Sequence, residues 1–133
     1  MKYDVIVIGG GAAGFFSAIC CAERNPQARI LILEQGQRVL EKVKISGGGR
    51  CNVTHACFTP KELIAHYPRG HKALLGPFHH FMCGDMLAWL EERGVETKIE
   101  ADGRIFPTSN QSQTIIDCFL GEIERLNLSL IHI

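Results

Sequence analysis

The chain has 133 residues, 46% hydrophobic and 21% charged, with fourteen basic residues balancing fourteen acidic ones. This is the profile of one soluble globular domain large enough for a real core, and a neutral chain without a long run of either sign lacks the electrostatic footprint expected of a nucleic-acid binder. The six cysteines sit among aliphatic runs, Asp4 and Gly9-Gly10-Gly11 interrupt the only signal-like stretch, and no segment approaches the ~20 apolar residues of a membrane span. Free thiols in a reducing cytoplasm are expected, with no membrane partner.

Tyr3 to Ile8 is a β-branched run and predicts a strand buried on both faces. Ala12 to Arg24 predicts a helix, with Gly14, Ala18 and Cys21 forming a narrow face that approaches a sheet closely. Arg29 to Leu33 predicts a second buried strand, stopped by Glu34, which completes a right-handed βαβ unit. A long connection from Gln35 to Asn52 follows, with a helix-compatible piece over Arg38 to Lys44 and a second glycine run, Gly47-Gly48-Gly49. A short helix is expected over Pro60 to Tyr67. Phe78 to Arg93 reads as one amphipathic helix that offers Phe78, Phe81, Met82, Trp89 and Leu90 to a core and stops at Gly94.

Val95 to Glu100 and Arg104 to Phe106 flank Asp102-Gly103, the signal of a type I′ hairpin. Pro107 then ends the strand, and Ser109 or Asn110 is expected to cap a helix over Gln111 to Asn127. That helix presents a stripe of Ile115, Ile116, Phe119, Leu120, Ile123 and Leu126. Leu128 to Ile133 predicts a further strand, and an apolar strand at the chain end reads as a truncation. The fold class is α/β: a Rossmann-like half-domain with an incomplete parallel sheet, added helices and a β-hairpin. Its expected parts are a βαβ core with the second glycine loop (1–58), a connecting region (59–110), and a helix with the third parallel strand (111–133).

Gly9-x-Gly11-x-x-Gly14 lies between the first strand and the first helix, the context that gives this motif its meaning. Gly9 permits a tight turn, Gly11 leaves room for a pyrophosphate, and Gly14 lets helix and strand close up. The first helical N–H groups, around Ala12, Ala13 and Gly14, lack internal partners and carry the positive end of the helix dipole. Glu34, with Gln35 beside it, ends the second strand where an acid accepts hydrogen bonds from a ribose 2′- and 3′-hydroxyl. A carboxylate there repels a 2′-phosphate and disfavours NADP at this site. Dinucleotide binding follows, though the motif alone does not separate FAD from NAD.

The run Lys42-Val43-Lys44-Ile45-Ser46-Gly47-Gly48-Gly49-Arg50-Cys51-Asn52 adds a second anion-directed feature, since glycine N–H groups and Arg50 can converge on a ligand. Here the sequence resembles the HI0933-like (BaiN) family of bacterial NAD(P)/FAD-dependent oxidoreductases, with its K-x-x-x-S-G-G-G-R-C-N signature. The matching residues are Asp4 to Gly14, Glu34, Lys42, Ser46 to Asn52 and Gly103 to Asn110. The resemblance implies FAD as cofactor, held in a split domain of the glutathione-reductase type, and an oxidoreductase whose flavin is reduced by a substrate or by transiently bound NAD(P)H. Gly9, Gly11, Ala12, Ala13 and Gly14 would hold the pyrophosphate and Glu34 the ribose. Lys42, Gly48, Gly49, Arg50 and Asn52 would line the second approach. The expected substrate is a small molecule.

Cys51 invites comparison with redox cysteines of flavin disulfide reductases, but five residues separate it from Cys57 where those pairs have four. A structural thiol is expected. His79-His80-x-x-Cys83 resembles part of a metal site, yet adjacent histidines on a helix do not face one ion, and no second cluster completes the ligands. No metal is expected. The other readings are an NAD-binding dehydrogenase module, an RNA-modifying flavoprotein, which neutral charge disfavours, and an inactive fragment.

Overall fold

The computed structural model describes residues 1–133. In chain order its elements are β1 (Val5–Ile8), α1 (Ala12–Arg24), β2 (Ile30–Glu34), α2 (Glu41–Ile45), a 3-10 turn (Ser46–Gly49) and β3 (Thr54–His55). Then follow α3 (Pro60–Ile64), α4 (His71–His80), α5 (Cys83–Glu91), β4 (Thr97–Ile99), β5 (Arg104–Pro107), α6 (Ser112–Arg125) and β6 (Ser129–His132). The chain forms two compact units, Met1–Cys51 with Gln111–Ile133, and Asn52–Asn110.

The first unit is a three-stranded parallel sheet in the order β1-β2-β6. Strand, helix and strand arise where the sequence changes from a β-branched run to a helical apolar spacing and back. Phe15, Ala18, Ile19 and Ala22 form the buried stripe of α1, at the i, i+3, i+4, i+7 spacing of one helix face. Ile115, Ile116, Phe119 and Ile123 do the same on α6, and the Phe15 and Phe119 rings meet edge to face at 6.0 Å. Ile30, Leu31 and Ile32 of the central strand complete the core. Each of the buried Phe, Ile and Leu side chains contributes roughly 1.5–3 kcal/mol on burial.

Two expectations change in this unit. β1 is not buried on both faces: Ile6 and Ile8 are 53% and 77% exposed, because β1 is an edge strand whose second face carries no covering layer. Of the expected face Gly14-Ala18-Cys21, Ala18 is fully buried but Cys21 is only half-buried, and the packed stripe runs instead through Phe15, Ile19 and Ala22. Gly14 does make a close approach, because a Cβ there would lie 1.9 Å from the Gly9 carbonyl oxygen.

The second unit pairs β3, β5 and β4 in an antiparallel sheet, with β5 central. Ile105, Phe106 and Pro107 of β5 are buried, as are Trp89 and Leu90 of α5 and the neighbouring Val95. A smaller cluster joins Cys57, Leu63 and Cys83 with Phe78 and Met82.

The helix expected over 78–93 is two helices. Phe81 is extended (φ −154°) and Met82 starts α5, its N–H donating to the Asp85 carboxylate at 2.9 Å. Phe81 is consequently 39% exposed and not a core residue. The hairpin is not type I′, because Gly103 is left-handed (φ +88°) while Asp102 is not. The Gly103 N–H donates to Glu100 O at 2.9 Å and the Glu100 N–H to Arg104 O at 2.8 Å. That is a three-residue loop with glycine at its left-handed position. Neither Ser109 nor Asn110 is the N-cap of α6; Gln111 is, without a side-chain cap bond, and Asn110 is left-handed (φ +55°).

Candidate dinucleotide site

The carboxyl ends of the parallel strands carry the site, the usual location for ligands in open α/β sheets. Gly9 leaves β1 with φ +103°, and its N–H donates to Leu33 O at 2.7 Å, which fixes the turn beside β2. The chain then enters α1 through Gly11, the N-cap, which has no side chain to satisfy the helix. No acidic residue lies in the first turn. The donors of Ala12, Ala13 and Gly14 thus keep their capacity for an anion. A Cβ at Gly11 would meet nothing within 4 Å, so the space over this helix end is open. Gly11, Ala12 and Ala13 are all exposed.

Glu34 stands beside that turn. Its Oε2 accepts from the Gly10 N–H at 2.7 Å and its Oε1 from the Gly36 N–H at 2.6 Å. These bonds to Gly36 and Gly10 hold the carboxyl below its ordinary range, with the nearby His132 adding a smaller effect in the same direction. Glu34 is therefore ionised at neutral pH, an acceptor with lone pairs left for a hydroxyl and repulsive to a phosphate. Gln35 follows it, exposed.

The connection after β2 folds back onto the glycine turn. The buried Leu40 is left-handed (φ +56°), and its N–H donates to Gly10 O at 2.8 Å. Lys42 lies on α2 just beyond, exposed. Ser112 anchors the end of α2, its hydroxyl donating to Lys44 O at 2.7 Å from a buried position. Gly47, Gly48 and Gly49 follow at φ +55°, +67° and +87°, exposed, with open space around Gly48 and Gly49. Backbone conformation, rather than crowding, requires glycine there. Arg50 is half-buried beside them. Cys51 is buried and left-handed (φ +60°), and burial pushes its thiol up, which keeps it protonated.

The structure thus brings Gly9, Gly11, Ala12, Ala13, Gly14, Glu34 and Gln35 to one strand-end turn, with the start of α2 tied to it. Asn52 belongs to the second unit. In the orientation its neighbours select, its amide donates to Thr54 O at 2.8 Å and Ile105 O at 3.2 Å, bracing strands. Sequence reasoning missed Gly10 and Gly36, which hold Glu34, although Gly10 was visible inside the first glycine run. It also missed His132, the register partner of Glu34 on β6, whose Nδ1 lies 2.8 Å from Gly36 O. Its signal was its place at the end of the third parallel strand.

No group of three or more His, Cys, Asp or Glu side chains is arranged to hold a metal ion, and no helix is long and apolar enough to cross a membrane.

Known proteins resemble this chain in sequence and in fold. Over 124 residues the chain is 29% identical to the 3-dehydro-bile acid delta(4,6)-reductase of Clostridium scindens (strain ATCC 35704 / DSM 5676 / VPI 13733 / 19), covering 93% of this chain and 29% of that protein. Over 128 residues it is 28% identical to the ribosomal RNA dihydrouridine synthase of Escherichia coli (strain K12), covering 96% and 30%. The chain therefore spans about 30% of the length of these relatives. Thermovibrio ammonificans THI4 superposes with a TM-score of 0.61 at 13% identity, over 98% of this chain and 38% of that one. The open conformation of a flavocytochrome c3 fumarate reductase gives 0.58 at 18% identity, over 98% and 26%. These two likenesses establish the Rossmann-type fold. The HI0933-like protein Rossmann domain matches residues 3–132, and the chain belongs to that family.

Proposed function

We propose that this chain is the N-terminal FAD-binding segment of a flavin-dependent oxidoreductase. The observation that carries the reading is the bare N-terminus of α1, open over Gly11, with an ionised Glu34 fixed beside it. Gly9, Gly11, Ala12, Ala13 and Gly14 hold the pyrophosphate, and Glu34 receives the adenosine ribose hydroxyls, with Gln35 at its rim. Lys42, Gly48, Gly49 and Arg50 form the second approach. When bound, FAD supplies a two-electron carrier that accepts and delivers a hydride. The protein's part is to bind and orient it, and NAD(P)H is the proposed transient donor. The six free thiols suit the reducing cytoplasm we assign to it.

The relatives' names suggest the substrate chemistry. Making dihydrouridine from uridine and reducing a delta(4,6) system each saturate a carbon–carbon double bond, conjugated to a carbonyl in uridine and in a 3-oxo steroid. We infer that the whole protein reduces such an activated alkene, either in a small molecule or in a uridine of RNA.

Equilibrium dialysis of the chain against FAD and NADH tests the cofactor. FAD is expected to bind more tightly, and Glu34→Gln to weaken it. Tighter NADH binding would instead support a dehydrogenase module.

A further inference from the structure

The α3–α4 hairpin of the second unit carries a one-sided charge. Between Lys61 and His80 the cations Lys61, Arg69 and Lys72 meet a single acid, Glu62. All three are exposed, and none is in an ion pair. The neutral sum over the chain hides this, because the acids of the second unit gather later, from Asp85 to Asp102.

The same surface holds a hollow of about 350 Å³ lined by Lys61, Ile64, Ala65, Tyr67, Pro68 and His71. Tyr67 is 39% exposed, and its ring leans on Phe78 with centroids 5.6 Å apart. A braced aromatic face among unpaired cations is the combination that single-stranded nucleic acids engage, with bases stacking on the ring and phosphates on the charges. A polypeptide partner would want carboxylates against the lysines but gains little from a stacking platform.

We propose that the α3–α4 hairpin is a contact surface for single-stranded RNA. Tyr67 takes a base over the hollow, while Lys61, Arg69 and Lys72 hold the flanking phosphates. The assignment rests on the reading that the alkene reduced lies in RNA. It is tested without flavin, so that failure of the cofactor reading and failure of this one are separate results.

The test is fluorescence anisotropy of a short fluorescein-labelled oligouridylate titrated with the full chain at several salt concentrations. Each phosphate neutralised on a single strand adds about −0.7 to the slope of log K against log salt. Replacing Lys61, Arg69 and Lys72 together by Gln is expected to flatten the slope by about 2. Tyr67→Ala is expected to weaken binding about tenfold, and Tyr67→Phe to preserve it. All four positions are exposed, and the salt slope remains a readout if Tyr67→Ala loosens the hairpin. The proposal is overturned by no binding at low salt, by an unchanged slope in the charge variant, or by poly-glutamate competing as well as unlabelled RNA.

Discussion

A methyl group added at Gly14 lands 1.9 Å from the Gly9 carbonyl oxygen, whereas one added at Gly11 meets nothing within 4 Å. The two glycines of one motif therefore answer to different demands. Gly14→Ala is expected to destabilise the chain by about 1–3 kcal/mol through overpacking, seen as a lowered midpoint in thermal unfolding. Gly11→Ala is expected to melt like the parent chain and to lose FAD affinity, measured by flavin fluorescence. Glu34 adds a pH dependence. Its folded pKa is depressed, so its stabilisation is fully present above the ordinary value of 4.5 and is lost as pH falls through the folded value. Thermal melts in buffers taken below pH 4.5 are expected to show the parent chain losing stability and Glu34→Gln losing less. Gly14, Gly11 and Glu34 were all legible from spacing. Gly10, Gly36 and His132 were not, because their contribution is a backbone group or a register position rather than a side-chain type at a motif distance.

Local chemistry can overrule an apolar period at the level of the element. Phe78 to Arg93 has helical spacing throughout, but Phe81 goes extended and the Asp85 carboxylate gathers the Met82 N–H, starting a second helix. Asp85→Ala is expected to cost about 1 kcal/mol in unfolding free energy, by losing the bond its carboxylate accepts from the Met82 N–H. The hairpin shows the same limit of dipeptide signals: Asp102-Gly103 marks the turn, but only Gly103 takes the left-handed conformation. The boundaries of α1, by contrast, agree with the sequence to the residue, because a glycine turn and Asn25-Pro26 define both ends. Ser112 belongs at this scale too. Ser112→Ala removes the hydroxyl bond to Lys44 O from a buried site, and a loss of about 1 kcal/mol is expected in denaturant unfolding.

Across the whole molecule, the two units obey different rules. The parallel unit was readable because continuous β-branched runs and an amphipathic α6 leave few alternatives. The unit from Asn52 to Asn110 was legible only in part, since its two-residue β3 carries no periodicity of its own. The parallel sheet also leaves Ile6, Ile8 and Ile131 exposed on one face. Replacing Ile6 and Ile131 by Thr is expected to lower binding of the dye 8-anilinonaphthalene-1-sulfonate while barely moving the melting temperature, because little buried area is lost.

The claim that a bare helix end and a fixed carboxylate receive a dinucleotide is tested most directly by backbone amide NMR of the chain titrated with FAD. The account predicts that the amides from Gly9 to Gly14 and of Gly36 shift together and saturate, and that NADPH, with its 2′-phosphate, shifts them far less. Unmoved amides at this turn, with shifts gathered elsewhere, would contradict it.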